Sequence, residues 1–186
     1  KNTLPILDNF LFQIKGNTLT VTASDLETTM ITSLDIESQG NDGAVAVAAK
    51  FVSDILRGFS DQPLTFEVDS NYRMVITSAK GKYEMGGQNG DEYPEQPLLK
   101  DVPVKSFSIP VKDLERSIVK TIFATADDEL RPVMNGIFVD INEECVTFAA
   151  SDAHKLVRIK NLHIKGSEAA SFILPKKPAS LLKNIL

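Results

Sequence analysis

Tryptophan is absent from this 186-residue chain, cysteine occurs once and histidine twice. A single cysteine, Cys145, excludes an internal disulfide and fits a reducing compartment. Cys145, His154 and His163 offer no metal-ligand spacing, so neither metal nor cofactor is expected. No apolar run is long enough to cross a bilayer, and no membrane association is expected. No signal peptide is visible and Lys1 is not an initiator methionine, so the chain is read as part of a longer protein. A phosphate-binding loop is missing too, because Gly86, Gly87 and Gly90 do not precede a helix. Positive charge is scarce on average: the net charge is -5, which argues at first against nucleic acid.

What is present is a two-residue rhythm. The apolar share of 42% is enough for a folded core. Leu19, Val21 and Ala23 alternate with threonines, and Leu64, Phe66 and Val68 with polar residues. Ile137, Val139 and Ile141 repeat the pattern, as do Val146, Phe148 and Ala150. Such alternation predicts half-buried antiparallel strands. They are expected near 8–14, 18–24, 28–36, 43–48, 63–69, 72–78 and 81–86, then near 105–109, 135–142, 145–151, 154–162 and 171–175. Helical spacing appears over 49–58, 110–124 and 176–186, with Phe51, Val52, Ile55 and Leu56 on one side of the first. Between 86 and 104 the rhythm lapses into glycine and proline, which predicts a turn and linker. Two domains follow, 1–100 and 101–186.

The second half repeats the first. Pro5 falls on Pro132, Asn9 on Asn135, Phe12 on Phe138 and Thr20 on Thr147. Ala23, Ser24 and Asp25 fall on Ala150, Ser151 and Asp152, and from Thr20 onward the offset is 127 residues. It carries Lys50 onto Lys177 and Ile55 onto Leu182. A shorter repeat of strand, Ala or Pro, one residue, Lys, then helix ends at Lys50, Lys112 and Lys177. The expected fold class is therefore α+β, built of duplicated strand–helix–strands units. The first copy is expected to lack an N-terminal strand and helix, and the second its C-terminal part.

Charge is segregated along this pattern. The three helical segments carry Lys50, Arg57, Lys112, Arg116, Lys120, Lys176, Lys177 and Lys183 against Asp54, Asp113 and Glu115, a net +5, so the rest of the chain is at -10. Lys112, Arg116 and Lys120 are four residues apart and share one helix face, away from the apolar stripe. Lys50, Lys112 and Lys177 each sit in a first helical turn. There the helix dipole disfavours a cation by roughly 0.3–1 kcal/mol. A thrice-repeated unfavourable placement points to an external anion, with DNA phosphate the obvious candidate. The bland reading of each such face is ordinary solvation.

The segments TLPILDNFLF, LTVTASDLE, the Asp-Glu-Tyr-Pro at 91–94, RPVMNGIFV and ASDAHKL resemble the bacterial polymerase III beta sliding clamp family over essentially the whole chain. The resemblance implies the DNA clamp fold, with antiparallel sheets outside and helices inside. It also implies a head-to-tail homodimer ring in the full-length protein that slides on double-stranded DNA and performs no chemistry. Implied partners are the DNA polymerase III alpha subunit, the clamp loader complex and other proteins with a clamp-binding motif, all in the cytoplasm. Carried over by residue, Lys1, Lys50 and Lys177 match basic DNA contacts. Arg131, Met134, Ser151, Ala153, His154, Lys155 and Leu156 match one wall of a partner-peptide pocket. Lys80, Lys82, Tyr83 and Met85, with Phe51 and Ile55 nearby, match a subunit interface on an edge strand. Asp127, Asp128, Pro132 and Val133 depart from the family pattern in a DNA-facing loop.

Ser151, Asp152 and His154 suggest a hydrolase, but consecutive strand residues point to opposite faces and a triad converges from separate elements. The first copy has Ser24, Asp25 and Glu27, so the shared Ser-Asp is expected to cap a turn. The rivals to a clamp are a duplicated β-rich protein-interaction module that does not bind DNA, and an enzyme whose site lies in sequence not present here.

Overall fold

The computed structural model describes residues 4–95, 104–128 and 130–186. The chain divides into two compact units, Lys1–Leu98 and Leu99–Leu186.

The first unit begins with a 3-10 turn, Pro5–Asp8, opened by its proline. Strands β1 (Asn9–Lys15), β2 (Thr18–Ser24), β3 (Thr29–Asp35) and β4 (Gly43–Ala48) follow. Helix α1 (Ala49–Arg57) leads to β5 (Thr65–Val68), β6 (Arg73–Ser78) and β7 (Gly81–Asn89). All pairings are antiparallel, in the order β3-β2-β1-β4-β7-β6-β5. Alternation puts Phe12, Val45, Val47, Met74, Ile76 and Met85 on the face that meets Val52 of α1.

The second unit holds α2 (Val111–Thr121), which tightens into a 3-10 turn over Ile122–Ala124. Strands β8 (Gly136–Ile141), β9 (Val146–Ser151), β10 (Leu156–Asn161) and β11 (Ala170–Pro175) run into α3 (Lys176–Ile185). Their order is β10-β9-β8-β11. Helix α2 lies over β9 and β10, α3 over β8 and β11, and the helices touch. Ile118 and Ala179 meet Ile137, Val139, Ile141, Val146 and Phe148 there. One buried polar link joins α2 to the edge strand. Ser117 Oγ donates to Asp113 O at 2.6 Å and accepts from Asn161 Nδ2 at 3.0 Å. Buried polar groups are costly unless bonded, and these satisfy one another.

The duplication is visible in the ladders. Gln13 pairs with Thr20 and Asp140 with Thr147, while Leu11 pairs with Ala46 and Phe138 with Ile173. An offset of 127 thus holds through β1 as well, and Phe138 corresponds to Leu11, not to Phe12 as the letter match suggested. The partner of Phe12 is Val139, and both are buried, whereas Phe138 is 41% exposed. A slip of one residue exchanges the two faces of a strand, so the core decides the register where identical letters mislead.

Three expectations need correction. Residues 104–110 form no strand. The alternation Phe107, Ile109 is present, but a strand also needs a ladder partner, and none is seen among the described residues. Instead Lys105 Nζ donates to Ala169 O, and the Phe107 ring lies 6.0 Å from that of Phe172. Strand β7 runs past residue 86 to Asn89. Gly87 answers crowding there: a Cβ would lie 2.6 Å from Tyr72 O and 2.7 Å from Val45 Cγ2. Nor is β7 an outer strand. It pairs with β6 over Gly81–Gly86 and with β4 over Gly87–Asn89, so the edge turned from β6 stays open along its first part; the outer strands are β3 and β5. The linker residues 96–103 lie outside the described residues.

Candidate nucleic-acid interface

Helices α1 and α3 begin directly at a strand end and α2 follows the segment 104–110, with Ala48, Pro175 and Pro110 as cap residues and no side-chain cap hydrogen bond. Alanine and proline offer no oxygen to the first-turn N–H groups, so the positive helix ends are left without a side-chain acceptor. Against that positive end each helix adds an exposed lysine in its first turn: Lys50, Lys112 and Lys177. Arg57, Arg116, Lys120 and Lys183 are exposed as well. Among the described residues Lys50, Arg57, Lys112, Arg116, Lys120 and Lys183 have no acidic partner. On α2 the buried residues are Ser117, Ile118 and Thr121, so Lys112, Arg116 and Lys120 occupy the face turned from the sheet. Asp113 of the same turn engages His163, with Nε2 and Oδ2 3.1 Å apart.

Lys176 differs. It is half-buried, and its Nζ lies 2.6 Å from Asp127 Oδ2, an acid from the loop between α2 and β8 that its own helix gave no sign of. Its neighbour Asp128 bonds Arg131 Nε at 2.7 Å, and that bond holds the Asp128 carboxyl below the usual carboxylate range. Lys1 lies outside the described residues.

The residues matched to a peptide pocket gather at one end of the second sheet. Leu156 is opposite Ser151, β8 begins just after Met134, and α3 starts beside Asn135. Arg131, Ala153, His154, Lys155 and Leu156 are exposed; Met134 and Ser151 are half-buried. Leu156 is 73% and Val133 67% exposed, an apolar surface at the sheet end that local spacing did not announce. The Ser-Asp pair is a turn cap in both copies. Ser24 Oγ accepts from Leu26 N, and Ser151 Oγ from Ala153 N, both at 3.2 Å. Asp25 and Asp152 each accept two backbone N–H groups of the turn. Leu26 and Ala153 share a left-handed φ, 75° and 76°.

Lys155 Nζ donates to Asp152, and this bond, then the Lys155 and His154 N–H groups, pulls the carboxyl well below its usual range. A depressed folded-state pKa contributes stability above the unfolded value near 4, and this is lost as pH falls through the folded value. Asp152→Asn should therefore flatten the acid limb of a urea-unfolding pH profile below about pH 4. An unchanged acid limb would show that the turn does not sense this carboxylate.

On the first unit, Phe51, Lys80, Lys82 and Tyr83 are exposed and Ile55 is half-buried, with the Tyr83 ring edge-on to Phe59 at 5.5 Å. Met85 is buried in its own core at 7% exposure, so it is unavailable to a second subunit. Alternation along β7 turns Met85 inward, whereas a motif match is blind to facing. No group of three or more His, Cys, Asp and Glu that could hold a metal occurs among the described residues. Nor is any described helix long and apolar enough to cross a membrane.

Fold and surface together define a duplicated helix-on-sheet scaffold whose helices each carry exposed cations. Residues 1–97 match the family model for the DNA polymerase III beta subunit, N-terminal domain, and residues 108–186 that for its central domain. The chain belongs to the DNA polymerase III beta subunit family. A beta sliding clamp of Halalkalibacterium halodurans is 27% identical over 196 residues, covering 100% of this chain and 51% of the relative. One from Haemophilus influenzae is 29% identical over 186 residues, 98% of this chain and 50% of the relative. The solved DNA polymerase sliding clamp of Bacillus subtilis matches with a TM-score of 0.88 at 25% identity, over 100% of this chain and 50% of that one. The DNA polymerase III subunit beta of Pseudomonas aeruginosa matches equally at 0.88, with 24% identity over 99% of this chain and 50% of that one. The chain spans about half the length of the curated relatives it matches.

Proposed function

We propose that this chain is part of a bacterial DNA sliding clamp, the processivity factor of the replicative polymerase. In the full-length protein two subunits close head to tail around duplex DNA without reading its sequence. The observation that carries this is that uncapped starts and exposed lysines recur in register on α1, α2 and α3, whose cations outnumber their acids. Lys50, Arg57, Lys112, Arg116, Lys120, Lys176 and Lys177 face phosphate, joined by Lys1. Phosphate contacts of this kind position a protein without specifying bases.

The clamp supplies no chemistry and acts in the cytoplasm as a subunit of the polymerase holoenzyme. Arg131, Met134, Ser151, Ala153, His154, Lys155 and Leu156 receive motif peptides of the polymerase alpha subunit, the clamp loader and other partners. The exposed Leu156 and Val133 support that role, since apolar surface at a sheet end favours peptide docking. The open first part of β7, with Lys80, Lys82 and Tyr83, and Phe51 and Ile55 of α1, forms the subunit interface.

Full-length protein loaded on nicked circular DNA should stay bound through gel filtration and be lost once the circle is cut. Retention indifferent to DNA ends would refute topological linkage.

A further inference from the structure

The two copies differ at the start of their last helix. At the offset of 127, Lys177 corresponds to Lys50, but Lys176 corresponds to Ala49. The second unit therefore has one additional first-turn cation, and that cation is the one met by Asp127 at 2.6 Å.

The contact is set by the backbone. Ala126 N donates to Met134 O at 2.8 Å. The Asn135 side chain closes on Asp128 from both directions, accepting from its N–H at 2.9 Å and donating to its carbonyl at 3.0 Å. The Asn135 carbonyl in turn accepts from Lys176 N at 2.9 Å. One residue thus ties the acidic loop to the first turn of α3. The two acids of the loop are divided between two cations. Asp128 takes Arg131, and Asp127 takes Lys176. The Asp127 side chain stays 81% exposed, so it meets any anion that approaches α3.

Resting on the DNA-facing role proposed for these helices, we infer that Asp127 is an affinity-limiting residue. Its carboxylate competes with the DNA backbone phosphate for the Lys176 ammonium. A phosphate must displace Asp127 to reach that ammonium. The first turn of α3 then grips no harder than that of α1 despite its additional lysine. A ring that must slide gains from such a limit, because every tight phosphate contact has to break at each step.

The test uses the 186-residue chain and a fluorescent linear duplex, read by anisotropy across a salt series. Asp127→Asn should tighten binding about 2- to 5-fold at low salt, the range expected of an exposed ion pair. It should also steepen the slope of log affinity against log salt by up to about 0.9, one further phosphate contact. In a Lys176→Met background the same change should give no gain. Asp61→Asn alters net charge equally at an exposed position in the other unit and should change neither quantity. Lys112→Glu reports on the DNA role itself and should weaken binding. If Lys112→Glu weakens binding and Asp127→Asn changes nothing, Asp127 does not limit affinity, although the helices still face DNA. A gain that persists with Lys176→Met would make Asp127 a diffuse repulsive charge and overturn the competition. Lys112→Glu binding as well as the parent would remove the DNA role and this inference with it.

Discussion

Replacing Lys50, Lys112 and Arg116 together by glutamate should abolish most duplex binding while leaving the fold as stable as before. All three side chains are exposed and lack an acidic partner among the described residues, so their removal breaks no internal contact. Surface phosphate contacts of about 1 kcal/mol each, at 1.4 kcal/mol per tenfold, amount to a loss on the order of 100-fold at low salt. Reversal adds repulsion to that loss. The salt slope should fall by about 1 per side chain. Stability should hold or rise, because an acid in the first turn of α1 or α2 suits the helix dipole where a lysine does not. A salt-series anisotropy titration and a thermal melt on the same variant separate the two effects. Unchanged affinity and slope would rule out these helix faces as the DNA surface.

Truncating Phe148 should destabilise the second unit more than any surface change. The residue is 1% exposed in β9, packed among Ile118 of α2 and Ile137, Val139 and Ile141 of β8. Removing a buried phenylalanine side chain costs about 3–5 kcal/mol, because lost transfer energy and a residual cavity add. Whole domains are stable by only about 5–15 kcal/mol, so from about a fifth to nearly all of the margin is at stake. Phe138 provides the control on the same sheet: it is 41% exposed, and Phe138→Ala should cost far less. Urea midpoints followed by circular dichroism decide between them. Equal losses for the two variants would mean that facing in this sheet is misassigned.

Much of the fold was legible because strands and helices bury residues at different periods. The alternation at 18–24 and 43–48 became β2 and β4 within the stated bounds, and the spacing of Leu114, Ile118 and Ile122 became α2 with its following turn. The repeat was legible because two copies of one ladder demand the same apolar rhythm. What failed shared a cause. The segment 105–109 had a strand's rhythm without a partner. Met85 matched a motif but turned inward. Phe138 matched Phe12 by letter but faces the other way. Lys176 looked unopposed because its acid, Asp127, is 49 residues away.

By itself, then, the amino-acid order determined which segments are strands and helices, that one unit occurs twice, and that cations collect on the helices. These are local and periodic properties, written in side-chain type and spacing. Only the tertiary structure decided which cation meets an acid, which edge stays open and which phenylalanine is buried. Those depend on residues far apart in the chain, brought together by sheet register and helix packing. An Asp127 lying far from Lys176, with the three helix faces covered by neighbouring chain, is the observation that would undo the proposal that these faces meet a polyanion.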